Sequence, residues 1–187
     1  MNILIFGSSG YLGSFLSKRF EEAEHKVLKV DRATLNFGAG SEDILIRSLI
    51  QEFDPDVVIN AVGEIDLSEA VTPQIMFSSL LLPSLLIFRH FKNFGSQRKV
   101  RIVTFGSTSE GKPRRNYPMY AALKTAEAAL ISTAVEEFSG TEVSWFRLKL
   151  PRLGGGLGIE NQSGGIIITP TNLESVWLDV TVMLEID

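Results

Sequence analysis

Short apolar runs alternate with helical patterns along this chain. "NILIF" (2–6) is an unbroken apolar, β-branched run ending at Gly7, as in a strand buried on both faces. Over "YLGSFLSKRFEEAEH" (11–25), Leu12, Phe15, Leu16 and Phe20 recur at helical spacing. "KVLKV" (26–30) predicts a second strand ending at Asp31, and a weak third is predicted near Thr34–Phe37. "SEDILIRSLIQEF" (41–53) opens on a serine cap and runs as an amphipathic helix. "PDVVINAVG" (55–63), "KVRIVTFGS" (99–107) and "EVSWFRLKL" (142–150) predict the fourth, fifth and sixth strands. A long helix is predicted over 73–93 with a kink at Pro83, and another over 118–138, stopped by "SGT". "GGGLGIENQSGG" (154–165) reads as a loop, and "TPTNLESVWLDVTVML" as a closing helix with Asn172 at its cap. Strands alternating with helices, without a repeat or a linker, predict an α/β doubly wound parallel sheet. Helices on both faces make three layers, α/β/α, in one domain over 1–187.

Composition narrows the function more than the fold. The chain has 187 residues, 44% of them hydrophobic and 21% charged, as in ordinary soluble proteins. Its formal charge of −4 leaves no basic footprint for nucleic acid. With no cysteine, disulfides, thiolate metal sites and a cysteine nucleophile are excluded. "LLLPSLLIF" (80–88) is too short to span a membrane, and "MNILIFGSSG" lacks the basic start of a signal peptide. A cytoplasmic protein is expected. His25 and His90, the only histidines, are expected at helix ends or surfaces, so no metal site is expected.

"GSSGYLG" sets Gly7, Gly10 and Gly13 between the first strand and the first helix as G-x-x-G-x-x-G. Such a turn lets backbone approach a pyrophosphate at a helix N-terminus, so a dinucleotide is the expected ligand. Ser9, Tyr11 and Leu12, among those glycines, join them as cofactor-binding candidates. Asp31, closing the second strand, can take the adenosine ribose hydroxyls and repel a 2′-phosphate, favouring NAD. Arg32 beside it could instead neutralise that phosphate, which keeps NADP as the alternative.

At the carboxyl end of the fifth strand stands Ser107, followed by "YPMYAALKTAE" (117–127). On a helix, Tyr120 shares a face with Lys124, whereas Tyr117 has only Ala121 at the same offset. A neighbouring ammonium would favour the Tyr120 phenolate and lower its pKa. Ser107 would then hydrogen-bond the oxygen of an alcohol or carbonyl substrate.

Together these motifs resemble the short-chain dehydrogenase/reductase family over residues 1 to about 150. The resemblance implies that Tyr120 is the acid/base, and that Lys124 binds the nicotinamide ribose. It also places Asn60, Ala61, Val62 and Gly63 of "NAVG" beside the riboses, Asn36 near the adenine and Pro151 on the nicotinamide side. The glycine spacing, "PDVVINA" and Glu127 lean towards the sugar-nucleotide branch, whereas the Ser–Tyr interval resembles the shorter reductases. The helix asparagine carried by many members is replaced, with Ser79 the best-matching position. Little chain follows Leu150 to cover a substrate. "KPRRNY" (112–117), with Arg114 and Arg115, would suit a phosphorylated or nucleotide-linked substrate; Glu64 and Asp66 read as solvated loop carboxylates.

The expected activity is hydride transfer between nicotinamide and an alcohol or carbonyl, by a short-chain NAD(P)-dependent dehydrogenase/reductase. The alternatives are a sugar-nucleotide epimerase, dehydratase or reductase, or a catalytically silent NAD(P)-binding regulator. "AALKTAEAAL" and "FSSLLLPSLLIF" are apolar on more than one side, which predicts a homodimer or homotetramer through these helices.

Overall fold

A computed structural model describes residues 1–63, 72–112, 115, 117–150 and 172–185. The described elements are β1 (Asn2–Phe6), α1 (Tyr11–Glu22), β2 (Lys26–Val30), α2 (Glu42–Phe53), β3 (Val57–Asn60), α3 (Pro73–Leu80), α4 (Leu82–Phe94), β4 (Val100–Ser107), α5 (Pro118–Glu137), β5 (Val143–Leu150) and α6 (Leu173–Glu185). The strands form one parallel sheet in the order β2-β1-β3-β4-β5. Phe6 lies opposite both Val30 and Asn60, so β2, β1 and β3 end level; Asn60 lies opposite Thr104, and β4 and β5 run on past that line to Ser107 and Leu150. Strand order reverses between β1 and β3, which opens a crevice at the carboxyl edge there.

Alternation along the strands feeds two cores. Leu4, Phe6, Val58 and Ile102 pack with Ile46 and Ile50 of α2, Ile87 and Phe91 of α4, and Ile131 and Ala134 of α5. Ile3, Ile5, Val57, Ile59 and Val103 pack with Leu16 and Phe20 of α1 and Val176 and Val180 of α6. The result is the expected three-layer, Rossmann-like α/β/α sandwich. Each fully buried aliphatic side chain contributes roughly 1.5–3 kcal/mol. At the opposite edge, Arg98 Nη1 donates to Asp56 at 2.6 Å, and Asp56 accepts the Asn2 N–H at 2.6 Å, fastening the start of β1 to β3.

Three expectations are corrected. The segment near Thr34–Phe37 is not a strand, and five strands are described rather than six. Asp31 Oδ1 accepts both the N–H and the hydroxyl of Thr34, each at 3.0 Å, and this local side-chain bonding supports a turn in place of a ladder. The long helix over 73–93 is two helices, α3 and α4, bent by 45° at a break. Leu81, at φ −122°, leaves the helical region, because a proline two residues on supplies no N–H and crowds the residue before it. His90 is no surface residue: it is 5% exposed, with the Phe91 and Phe94 rings at 5.0 and 5.3 Å. Burial holds its imidazole pKa below the usual value.

Among the described residues no single helix is long and apolar enough to cross a membrane; the bent α3–α4 pair has that combined length and composition. Ile59 is fully buried on the central strand β3. Ile59→Ala is expected to lower stability by about 2–5 kcal/mol. Thermal unfolding would show this as a melting point lower by roughly 5–15 °C for a chain of this size.

Candidate active site at the carboxyl edge of the sheet

Backbone packed on backbone shapes the turn after β1. The N–H groups of Gly7 and Ser8 both donate to Val30 O, at 2.8 and 3.1 Å, so the turn is clamped to the end of β2. Gly7 has φ +79°, and a Cβ there would meet Ala61 and Val62 backbone at 2.8 Å. A Cβ on Gly13 would lie 2.0 Å from Gly7 O. Two of the three glycines are therefore demanded by close backbone packing, Gly7 against the chain after β3 and Gly13 where α1 crosses the turn. Gly10 is freer: it is the N-cap of α1, with no side-chain cap and no acidic residue in the first turn. The uncapped N–H groups and dipole of α1 thus meet the crevice at its positive end, as an anionic pyrophosphate requires. Ser8 is buried, while Ser9, Gly10 and Tyr11 are exposed around this end and Leu12 is partly buried.

Asp31 begins the turn after β2. Backbone and hydroxyl hydrogen bonds from Thr34 hold its carboxyl below the usual range, so it is a fixed anion at neutral pH. Arg32 and Asn36 are exposed on the same segment. Asn60 behaves differently from its expected place at the riboses. Its side chain turns inward, donating to Ser84 Oγ at 2.9 Å and accepting Val62 N–H at 3.1 Å. It thereby sets the course of Ala61, Val62 and Gly63 past the crevice. Pro151, Glu64, Asp66 and Arg114, and the segment 154–165, lie outside the described residues.

Ser107 ends β4, its hydroxyl accepting Ser109 N–H at 3.1 Å and lying near enough to the Tyr120 hydroxyl, in the first turn of α5, to pull the phenol's pKa down. Tyr120 is 8% exposed, with Tyr117 edge-on at a ring distance of 6.0 Å. Lys124, one turn on, is also buried. Its ammonium donates to Phe105 O at 3.0 Å and to Glu127 Oε2 at 2.8 Å. Serine, tyrosine and lysine thus stand at one corner of the carboxyl edge. The electrostatics depart from expectation, however. Burial raises the Tyr120 pKa first, and the nearby Glu127 and Glu110 carboxylates raise it further, against the hydrogen bond from Ser107. The phenol is held protonated rather than acidified.

Several residues of this corner were not singled out in the sequence. Glu110 accepts the backbone N–H of Ser107 and pairs with Arg147 Nη1 at 2.7 Å. That pair lies over Gly106, where a Cβ would meet Arg147 Nη1 at 2.5 Å. Ser84, not Ser79, reaches the interior. Ser79 Oγ bonds back to Ile75 O at 3.0 Å on its own helix, whereas Ser84 Oγ donates to Glu127 Oε1 at 2.7 Å. The break between α3 and α4 separates the two serines, and Ser84 was not singled out in the sequence.

A sequence profile of the NAD dependent epimerase/dehydratase family matches residues 3–151. The chain belongs to that family. Its fold is also that of a short-chain dehydrogenase/reductase from Vibrio parahaemolyticus: TM-score 0.78 at 16% identity, over 98% of this chain and 93% of that one. A short-chain oxidoreductase from Thermus thermophilus gives 0.72 at 22% identity, over 100% and 97%. dTDP-4-dehydrorhamnose reductase from Bacillus anthracis, crystallised with NADP, gives 0.72 at 14% identity, over 99% and 71%. No curated protein matches the sequence significantly. As an epimerase/dehydratase family member, the chain has a nicotinamide dinucleotide as its cofactor, and the cradle formed by Gly7, Gly13 and the α1 N-terminus fits one.

Gly13→Ala should cost at least the ~1–3 kcal/mol of an overpacked core. Gly10→Ala, whose Cβ would find only Gly7 O at 3.3 Å, should be nearly neutral; chemical denaturation of the two variants measures the contrast. Burial pushes the Glu110 pKa up, but the Arg147 hydrogen bond and the Ser107 N–H outweigh it, and the net shift is downward from 4.5. A depressed carboxylate stabilises above its unfolded pKa and loses that stabilisation as pH falls through the folded one. The wild type should therefore lose stability below about pH 4.5 faster than Glu110→Gln, in urea midpoints measured against pH.

Proposed function

We propose that this protein is an NAD(P)-dependent carbonyl reductase in which Tyr120 is the proton donor. The observation that carries the proposal is the buried Tyr120 set beside the buried Ser107 at the end of β4, on the edge that also carries the glycine cradle. The cofactor supplies the hydride. Tyr120, kept protonated by burial and by Glu127 and Glu110, gives its hydroxyl proton to the substrate oxygen as that oxygen gains negative charge. Ser107 steadies the same oxygen through its hydroxyl. Lys124 has two N–H bonds committed to Phe105 and Glu127, and its third is available to a ribose hydroxyl. Gly7, Gly10 and Gly13, with Ser9, Tyr11 and Leu12, hold the pyrophosphate. Asp31, ionised at neutral pH, takes the adenosine ribose and disfavours a 2′-phosphate, so NAD is preferred. Asn36, Arg32 and the 60–63 segment flank that nucleotide.

A raised pKa keeps the Tyr120 phenol in its proton-bearing form at neutral pH, the form that carbonyl reduction uses. The substrate is a small carbonyl compound. A nucleotide-linked sugar is the specific class favoured by the family match and by the dTDP-4-dehydrorhamnose reductase likeness. That second reading splits on cofactor balance: a reductase consumes one NADH per product, an epimerase none in net. The exposed alanine face of α5, with Ala122, Ala126 and Ala129, is the surface through which two copies would pair.

Tyr120→Phe is expected to lower carbonyl reduction by about 10²–10⁴-fold. NADH affinity should stay within a few-fold of wild type, as judged by fluorescence titration. Full activity in the variant would remove Tyr120 from the reaction.

A further inference from the structure

β4 outruns its neighbour β3. Asn60, the last residue of β3, lies opposite Thr104, and β4 continues to Ser107 with only β5 beside it. N–H groups along a strand point alternately to its two sides. In β4, Val100 N–H reaches Glu142 O on the β5 side, and Arg101 N–H reaches Asp56 O on the β3 side. Thr108 N–H goes to Leu150 O at 3.1 Å, again the β5 side, so Ser107 N–H points where β3 has already ended. A buried N–H there needs another acceptor. Glu110 supplies it, its Oε1 accepting Ser107 N–H. Ser107 O in turn accepts Glu110 N–H at 3.2 Å, and Ser107 Oγ accepts Ser109 N–H at 3.1 Å. The S-x-x-E spacing of "STSE" (107–110) is that of a helix capping box, used here to close a turn rather than to open a helix.

Glu110 is itself held in place. Its Oε2 pairs with Arg147 Nη1 of β5 at 2.7 Å, the two side chains being only 9% and 14% exposed. Arg147 Nη2 reaches on to Lys124 O of α5 at 3.4 Å. The pair fits because residue 106 is glycine: a Cβ there would stand 2.5 Å from Arg147 Nη1 and 2.6 Å from Glu110 Oε1. A second tie follows at once. Gly111 N–H donates to Thr125 Oγ1 at 2.9 Å, and that hydroxyl donates to Ala121 O at 2.7 Å. The turn that carries Ser107 is thereby fastened to the part of α5 that follows Tyr120. A buried ion pair adds little net stability, so what this one contributes is geometry.

A serine hydroxyl has one proton to give and two positions at which to accept. With Ser109 N–H on one acceptor position, the Ser107 oxygen is fixed in direction and its proton is left for another group. We propose that Glu110, held by Arg147, is a positioning residue that keeps Ser107 in this orientation, so that its hydroxyl meets the substrate oxygen as a hydrogen-bond donor. The role rests on the reading of Ser107 as the group that steadies that oxygen, but the orientation exists without cofactor or substrate. Glu110 has one oxygen on Ser107 N–H and the other on Arg147, so it acts through Ser107. A hydroxyl that accepts a backbone N–H is polarised by it and donates more strongly to an oxygen gaining charge. Without Glu110, the strand end loses this hold on the β3 side, and the Ser107 hydroxyl spreads over its staggered rotamers.

Two measurements test the proposal. The first reads the Ser107 rotamer from Hα–Hβ couplings in serine-labelled protein without cofactor, with Ser107→Ala to assign the signal. Wild type should show one staggered rotamer, and Glu110→Ala couplings averaged over more than one. Should Glu110→Ala fail to fold, Glu110→Ala with Arg147→Met removes the pair together, which is tolerated better than one partner left alone. The second is a double-mutant cycle on NADH oxidation with 4-nitrobenzaldehyde as the carbonyl probe. Ser107→Ala should lower kcat by about 10²-fold. Glu110→Ala should lower it by about tenfold, with KM for NADH within about twofold of wild type. In the Ser107→Ala background the Glu110→Ala loss should shrink below about twofold, because the hydroxyl to be positioned is gone. A single Ser107 rotamer in folded Glu110→Ala would overturn the proposal, as would an equal loss in both backgrounds, the mark of a general structural effect. If the rotamer is released as described but Ser107→Ala reduces the aldehyde as fast as wild type, the positioning of the hydroxyl stands and the reading of Ser107 in the reaction fails.

Discussion

Backbone packs directly on backbone where α1 crosses the turn that ends β1. Gly13 rests on Gly7, and Gly7 rests on the peptide joining Ala61 to Val62. No side chain fits in either gap, so the spacing of β1, β3 and α1 is set by van der Waals contact. That contact fixes the crevice where the strand order reverses, and it fixes the α1 N-terminus in the crevice. A parallel sheet then brings the ends of β3 and β4 to the same edge. The dinucleotide cradle and the Ser107–Tyr120 corner are two ends of one constraint.

A second constraint is electrostatic. The far corner buries an arginine, a lysine and two glutamates in close contact, an arrangement that stabilises a fold less than apolar packing would. It draws on the segment after β4, on α5 and on β5, so the elements that carry Ser107 and Tyr120 are bound into it. Glu110 holds the Ser107 backbone, Glu127 holds Lys124, and Arg147 ties the two carboxylates together across Gly106. Strand end, helix face and neighbouring strand therefore cannot shift independently at the place where a substrate oxygen must be met to within a few tenths of an ångström.

Much of this was legible in the chain. Buried strands such as "NILIF" and "VVIN" carry their own signal, because both faces are apolar. The glycine turn and the Tyr120–Lys124 spacing were legible because each is local, within one loop or one helical turn. What escaped was non-local or competitive. The segment near 34–37 read as a strand, since apolar spacing does not show that Asp31 accepts the backbone N–H of Thr34. Ser84 was not singled out, because nothing local shows that its hydroxyl meets Glu127 of another helix. Glu110 and Arg147 pair across distant parts of the sequence, and nothing local says which carboxylate an arginine will choose. The upward direction of the Tyr120 shift followed from the same omission: the lysine was visible, and the carboxylates that balance it were not assigned to the site.

The most direct test of the account is a titration of the purified protein with NADH and with NADPH. It would follow quenching of Trp145 and Trp177 emission and energy transfer to the dihydronicotinamide. Saturable binding with NADH favoured is the predicted result, since the cradle fits a pyrophosphate and the Asp31 anion meets the adenosine ribose. Binding of neither dinucleotide by the folded protein would contradict it, leaving the glycine turn as a packing device and Tyr120 without a hydride to follow.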